Sequence, residues 1–330
     1  MNGDGRLDLI ALASGMPELV WFENPGWQRR VIAGPFPRMI NLAAHDINGD
    51  GVPEIALAHG FENVAKKSAG IVSILRFVDG KWTAKEIDRV PTSHRLRWAD
   101  LFGAGKKVLV NAVLTGPEAE PPGFEGDTGL YFYDPKDWKR QSIPTKNRGV
   151  VHGVFITRWD GGPTEDVLTA SFVGIQAHLW RGNKWKHEEI SKGATDPWPR
   201  SGSSDVAVGM LGKKRFLAAI EPWHGGMVAV YQGKARSVID TALVDGHTIA
   251  TADLDGDGQD EIIAGCRGGP KGVYLYRYDG SKWNRRALDE GTMAAAACSP
   301  VDLNGDKRMD VVCIGSATQN VRWYENLGPR

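Results

Sequence analysis

Apolar residues along the chain come in short runs, and the runs recur in a fixed order of four. One precedes an acidic loop, as in Thr248-Ile-Ala-Thr-Ala-Asp253, and a second follows it, as in Glu261-Ile-Ile-Ala-Gly265. A third alternates apolar and polar positions around aromatics, as in Leu19-Val-Trp21-Phe22, Leu130-Tyr131-Phe-Tyr133, Val273-Tyr274-Leu-Tyr276 and Val321-Arg-Trp323-Tyr324. The fourth opens on a tryptophan after a turn: Trp27, Trp82, Trp138, Trp185 and Trp283, each followed five residues later by Ile or Leu. Short β-rich runs bounded by turn residues predict strands, and four per repeat predict a four-stranded blade. No helical period of useful length appears.

The loop makes the repeat explicit. Asp46-Ile-Asn48-Gly-Asp50-Gly-Val-Pro-Glu54 matches Asp253-Leu-Asp255-Gly-Asp257-Gly-Gln-Asp-Glu261 and Asp302-Leu-Asn304-Gly-Asp306-Lys-Arg-Met-Asp310. Asn2, Asp4 and Asp8 open the chain as a fourth copy, and worn copies begin at Asp100, Arg158 and Gly209. Seven copies at a spacing of roughly 45 to 58 residues predict an all-β, seven-bladed β-propeller in one domain. The blades fall approximately at 1–36, 37–90, 91–147, 148–199, 200–242, 243–290 and 291–330. The first repeat lacks its first strand and the last stops after three. The expectation is of strands missing at the seam, with a shortened start, or of three-stranded blades meeting there.

Composition narrows the partners. Lys+Arg and Asp+Glu both total 40, so no net field draws the molecule to nucleic acid or to an anionic membrane. No run reaches the length of a membrane span, and the first residues lack the features of a signal peptide, so neither a nucleic-acid partner nor membrane insertion is expected. The three cysteines, Cys266, Cys298 and Cys313, sit among apolar neighbours and read as small core residues rather than a disulfide framework.

In the acidic loops, oxygen-bearing side chains recur at places 1, 3, 5 and 9, and a glycine at place 6 lets the chain curl around a point. Hard oxygen ligands on a tight turn suit Ca²⁺. The candidate sets are Asp46, Asn48, Asp50 and Glu54; Asp253, Asp255, Asp257 and Glu261; and Asp302, Asn304, Asp306 and Asp310, where Lys307 replaces the glycine. The same residues also build hairpin turns without an ion. On these loops and their apolar continuation, nearly the whole chain resembles the FG-GAP or VCBS repeat family. That resemblance implies a seven-bladed propeller with structural calcium between the first and second strands of some blades, and a secreted or periplasmic location.

Aligning the repeats puts a histidine six residues before the loop start in three copies: His94, His152 and His247, where other repeats have Ile40, Ser203 and Ala296. The first strand of a blade lines the central channel, so these imidazoles are expected to converge at one channel mouth. The loops between second and third strands would add His59, Glu221, Trp223, His224 and Arg267. Segments entering the first strands would add Arg95 and Arg148, with Arg38 and Arg200 as solvated rim charges. Histidines, arginines and an indole suit an acidic or oxidised carbohydrate, whose carboxylate or carbonyl an arginine or a histidine-bound cation (Zn²⁺ or Ca²⁺) would neutralise. A free imidazole could then remove the adjacent C–H proton.

Glu221-Pro-Trp-His224-Gly, Asp245-Gly-His247 and Ala264-Gly-Cys-Arg267-Gly-Gly resemble segments of the propeller domain of aldos-2-ulose dehydratases, and the overall plan is similar to that of fungal rhamnose–glucuronate lyases. This resemblance implies a carbon–oxygen lyase in which His94, His152, His247 and His224 act as metal ligands or as acid and base. The chain lacks the cupin domains that accompany the dehydratase propeller. The alternative is a non-catalytic, calcium-stiffened propeller that binds carbohydrate or protein; three imidazoles at one repeat place favour chemistry.

Overall fold

Each repeat folds into one antiparallel sheet whose strands follow chain order, so the first strand of each blade is an edge strand. The computed structural model describes residues 1–328. Five blades have four strands; in blade 6 these are Gly246–Ala252, Glu261–Cys266, Gly272–Tyr278 and Trp283–Glu290. Blade 1 (Leu9–Ala11, Leu19–Glu23, Gln28–Ala33) and blade 7 (Ala295–Val301, Asp310–Gly315, Val321–Tyr324) have three each. Seven sheets in succession define the all-β, seven-bladed propeller class. A two-stranded ladder, Ala194–Thr195 with Ser201–Gly202, and a single 3₁₀ turn, Ala65–Lys67, complete the described elements. The chain divides into two compact units, Met1–Ile190 and Ser191–Arg330, each treated by itself below.

Second strands are the most buried because both sheet faces are covered by neighbours; Glu54–His59, Val108–Val113, Asp166–Ser171 and Glu261–Cys266 are buried throughout. Within the first unit the apolar cores lie between successive sheets, and Trp82, Trp138 and Trp185 each pack against one of them. Trp138 and Trp27 precede their strands instead of opening them, with left-handed φ of 57° and 53°. The Ile or Leu five residues on is a register break: Ile32, Ile87 and Leu288 are each passed over in the pairing of third and fourth strands. Such a bulge turns the residue out of the ladder and sharpens the local twist.

A second repeated device joins blades. Tyr133, Tyr276 and Tyr324 of third strands donate to Asp88, Asp240 and Asp289 at the ends of the preceding blades, at 3.0, 2.5 and 2.9 Å. Arg140, Arg285 and Arg322 pair with the same three carboxylates. Burial and the facing carboxylate push all three phenols above their usual range.

The cysteines require a correction. Cys298 and Cys313 stand directly opposite in the register of blade 7 and form a disulfide, while Cys266 remains a free, buried thiol. Fifteen residues separate the pair in sequence, and only the strand register brings them face to face. The worn loop of blade 5 also differs: Gly209 lies inside the strand Asp205–Leu211, and the acidic loop shrinks to a two-residue hairpin turn before Lys214–Glu221.

Candidate functional site

His94, His152 and His247 each take the second position of a first strand, in Ser93–Ala99, Val151–Thr157 and Gly246–Ala252. All three are bulge residues, skipped by the ladder between Ser93 and Arg95, Val151 and Gly153, and Gly246 and Thr248. A bulge on an edge strand re-aims a side chain that regular pleating would lay on the sheet face. The repeat position read from sequence therefore has a backbone cause.

In the first unit the rings of His94 and His152 lie 5.1 Å apart, and Phe61 covers His94 at 5.4 Å. Both histidines are buried, with 4% and 2% of their surface exposed. Arg95 donates through Nε to the His152 carbonyl at 2.9 Å and through Nη2 to His152 Nε2 at 3.4 Å. A guanidinium can only donate, so this contact places the lone pair of His152 on Nε2 and its proton on Nδ1.

The second unit holds the richer constellation. Glu221-Pro222-Trp223-His224-Gly225 forms a tight turn closed by the Gly225 amide on the Pro222 carbonyl at 2.8 Å. A Cβ on Gly225 would meet the Glu221 carbonyl at 2.3 Å, and one on Gly246 would meet the Gly225 carbonyl at 2.6 Å. This glycine-to-glycine approach brings the His224 and His247 rings to 5.1 Å, with Trp223 against His224 at 4.7 Å. Arg267 forks onto Asp245 through Nε and Nη2, at 3.1 and 3.0 Å, and its Nη2 also reaches His224 Nδ1 at 3.1 Å. Asp245 Oδ1 lies 3.2 Å from the same nitrogen. His224 can accept from Arg267 there as the Nε2–H tautomer, and as the Nδ1–H tautomer or when protonated it can donate to Asp245, so Nδ1 is served in every state. His247 donates from Nδ1 to the Ala296 carbonyl at 2.7 Å, because a carbonyl only accepts; its lone pair is therefore on Nε2.

Several expected residues lie elsewhere. Glu221 is fully buried and holds Arg236 at 2.6 Å, together with the Tyr231 and Ser203 hydroxyls; it is a structural anchor for blade 5 and not a sugar contact. His59 lies on the face of blade 2, its Nε2 3.0 Å from Ser73 Oγ and its ring against Phe36, and burial lowers its proton affinity. Arg148 is an exposed partner of Asp127 at 3.6 Å, and Arg38 pairs with Glu62. Asp245 and the Ala296 carbonyl were missed as site groups. The Asp-Gly pair before His247 was a signal for the first, since Asp245 adopts a left-handed φ of 56°; nothing in sequence marks a carbonyl.

The acidic loops occupy the expected turns between first and second strands. Asp253 Oδ1 accepts from the Gly256 and Asp257 amides and Oδ2 from Gly258, at 2.8 to 3.1 Å, while Glu261 accepts from Leu254 at 2.9 Å. Asp46 with Glu54, and Asp302 with Asp310, repeat the pattern. Place 6 is left-handed in all three, and Lys307 accepts a φ of 68° where Gly51 and Gly258 have 87° and 81°. In blade 6, Asp253, Asp255 and Glu261 offer oxygens all within 4.8 Å of one another, a donor set suited to a hard cation. Burial, then Asp255 and Asp257, push the Glu261 carboxyl up to about 7, against the pull of the Leu254 amide and Arg277.

Blade 4 solves the same problem from within. Its loop has Arg158 at place 1, and the Arg181 guanidinium instead binds Asp160 at 2.5 Å, Asp166 at 2.8 Å and the Thr164 hydroxyl. Hydrogen bonding from Arg181 holds Asp160 down at about 2, while burial raises the Asp166 carboxyl and Arg181 opposes that rise.

Bulged histidines on edge strands and acidic hairpin loops recur from blade to blade, as the repeated backbone of a propeller requires. The chain belongs to the family of the aldos-2-ulose dehydratase β-propeller domain, whose model matches residues 70–235, half of the chain. FG-GAP-like repeats match residues 1–57 and 253–313, the segments that hold the acidic loops of blades 1, 2, 6 and 7. The chain is 26% identical over 235 residues to aldos-2-ulose dehydratase of Phanerodontia chrysosporium, which covers 59% of this chain and 26% of that protein. It thus spans about a quarter of the length of that relative. Among solved structures it is similar to the Dos1 propeller (TM-score 0.61, 10% identity, covering 98% of this chain and 76% of that one). It is also similar to the extracellular domain of a hybrid two-component system from B. thetaiotaomicron (0.56, 11%, 98% and 39%). Both likenesses concern the fold. No helix among the described residues is long and apolar enough to cross a membrane.

Proposed function

We propose that this chain is a carbohydrate-active carbon–oxygen lyase that works by β-elimination on a uronate or an oxidised sugar. The observation that carries the reading is His224, with Nδ1 held between Asp245 and Arg267, beside His247, whose Nδ1 donates to the Ala296 carbonyl. Arg267 neutralises the substrate carboxylate or carbonyl, which acidifies the neighbouring C–H. His224 acts as the Nδ1–H tautomer that donates to Asp245, and its Nε2 lone pair removes that proton. The C–H electron pair becomes the new C=C bond, the C–O bond one carbon further on breaks, and protonated His224 returns the proton to the leaving oxygen. Products are an unsaturated sugar and an alcohol or water, with no net oxidation. A Zn²⁺ or Ca²⁺ ion held with the help of His247 would add Lewis-acid polarisation of the same carbonyl. In the first unit, His94 and His152 with Arg95 are proposed as a sugar or cation contact of their own, and the kinship with a sugar-processing enzyme supports the substrate class.

The loops of blades 2, 6 and 7 are proposed to hold structural Ca²⁺, and the chain to act outside the cytoplasm, as the extracellular neighbour suggests. The test is ultraviolet absorbance of the conjugated double bond formed from uronate oligosaccharides and keto-sugars. His224→Ala should lower the rate by at least about 100-fold with the circular dichroism unchanged, and His152→Ala should lower it less. An unaltered rate in His224→Ala, or no product from either substrate class, would reject the reading.

A further inference from the structure

The disulfide lies one blade away from His247, yet three contacts in succession join them. His247 Nδ1 donates to the Ala296 carbonyl at 2.7 Å, and the next residue, Thr248, accepts through Oγ1 from the Cys298 amide at 3.2 Å. Cys298 is in turn bonded to Cys313 on the second strand of blade 7. Gly265 makes room for this junction: a Cβ there would meet the Ala295 Cβ at 2.6 Å, Thr248 Cγ2 at 2.7 Å and Cys298 Sγ at 3.7 Å.

The strand that carries the carbonyl is weak by composition. Ala295–Val301 reads Ala-Ala-Ala-Cys-Ser-Pro-Val, poor in β-branched and aromatic residues, and Pro300 removes an amide. It is an edge strand of a three-stranded sheet, and its ladder is broken at Ala296, the residue whose carbonyl His247 uses. A bulge flanked by alanines has little side-chain packing to fix the direction of its carbonyl.

We infer that the Cys298–Cys313 disulfide is a positioning brace for His247. It fixes the bulged strand so that the Ala296 carbonyl holds the imidazole as the Nδ1–H tautomer. Two-electron reduction by a dithiol breaks the S–S bond, forms two thiols on the protein and a cyclic disulfide on the reagent, and releases the strand. The brace concerns the state of His247 and is read without any turnover, so its failure is separate from failure of the lyase reading.

The experiment is long-range ¹H–¹⁵N NMR of the imidazoles in the full chain, before and after dithiothreitol, and in Cys298→Ala/Cys313→Ala. The expected result is a fall of about tenfold in the Nδ1–H to Nε2–H ratio of His247, the amount one hydrogen bond sustains, with His178 unchanged in blade 4. Reoxidation of the reduced protein restores the ratio, and Thr248→Val, which removes the adjacent tie but keeps the disulfide, gives a smaller fall. An unchanged His247 in reduced, folded protein overturns the inference. Loss of all histidine dispersion on reduction also overturns it, because the disulfide would then be a staple of the whole fold.

Discussion

Blades 4 and 6 place an acidic loop at the same point of the same repeat, and they balance its charge in opposite ways. In blade 4 the Arg181 guanidinium enters the loop and bonds to both Asp160 and Asp166. In blade 6 three carboxylates converge, Arg277 approaches from an exposed position at 2.6 Å from Asp255, and Glu261 is still pushed up to about 7. A buried carboxylate needs a counter-charge; one blade carries its own, and the other has the donor set to take an ion from solution. The hydroxyl-bearing place on the third strand differs too: His178 stands in blade 4 where Tyr276 stands in blade 6, by their pairing with Val167 and Ile262.

The contrast breaks most severely at Arg181. Arg181→Gln leaves Asp166, whose side chain is fully buried, without its partner, and a loss of about 4 kcal/mol is expected in urea unfolding, with or without calcium. Calcium rescue of that variant would show that blade 4 is an ion loop after all.

Next comes His178, which is fully buried, bonded to Thr169 at 3.0 Å and lowered to about 3 by burial and by His187. Its depressed value means the unfolded chain binds the proton first. Stability from this residue is complete above the ordinary histidine range and drains away as pH falls from about 6.5 toward about 3. Roughly 3 kcal/mol is expected to go by pH 4. His178→Leu, the residue blade 2 has at that place, should flatten this part of the pH–stability profile; an unchanged profile would mean that the imidazole titrates normally in the fold.

Third, Ca²⁺ at roughly 100 times its Kd should stabilise the protein by about 3 kcal/mol per loop filled, and Asp253→Asn should remove the share of blade 6. Calorimetry showing the same ion count in that variant would remove Asp253 from the ligand set. The smallest effect belongs to Arg277→Gln. An exposed cation competing for the same carboxylates should weaken calcium only modestly, so its loss should tighten binding by up to about fivefold.

Much of this was legible in the chain. The acidic loops, the edge-strand histidines and the tryptophan-led fourth strands follow from spacing alone, because a propeller repeats one backbone and each place in the repeat keeps one environment. The histidine place could be counted, but its bulge could not, since a skipped register depends on which strand pairs with which. Glu221 shows the same limit: it sits beside Trp223 and His224 in sequence, yet the alternation of the strand sends it inward to Arg236 and Tyr231.

Local order, then, was set by the amino-acid sequence: four strands, a turn, a ring of oxygens on each acidic hairpin, and the count of blades. Tertiary structure alone decided which cysteines join, which guanidinium fills a loop, and where the protons of His152 and His247 reside. Those outcomes depend on groups 15 to 57 residues apart meeting within 3.4 Å, and a one-residue shift in strand register would undo each of them.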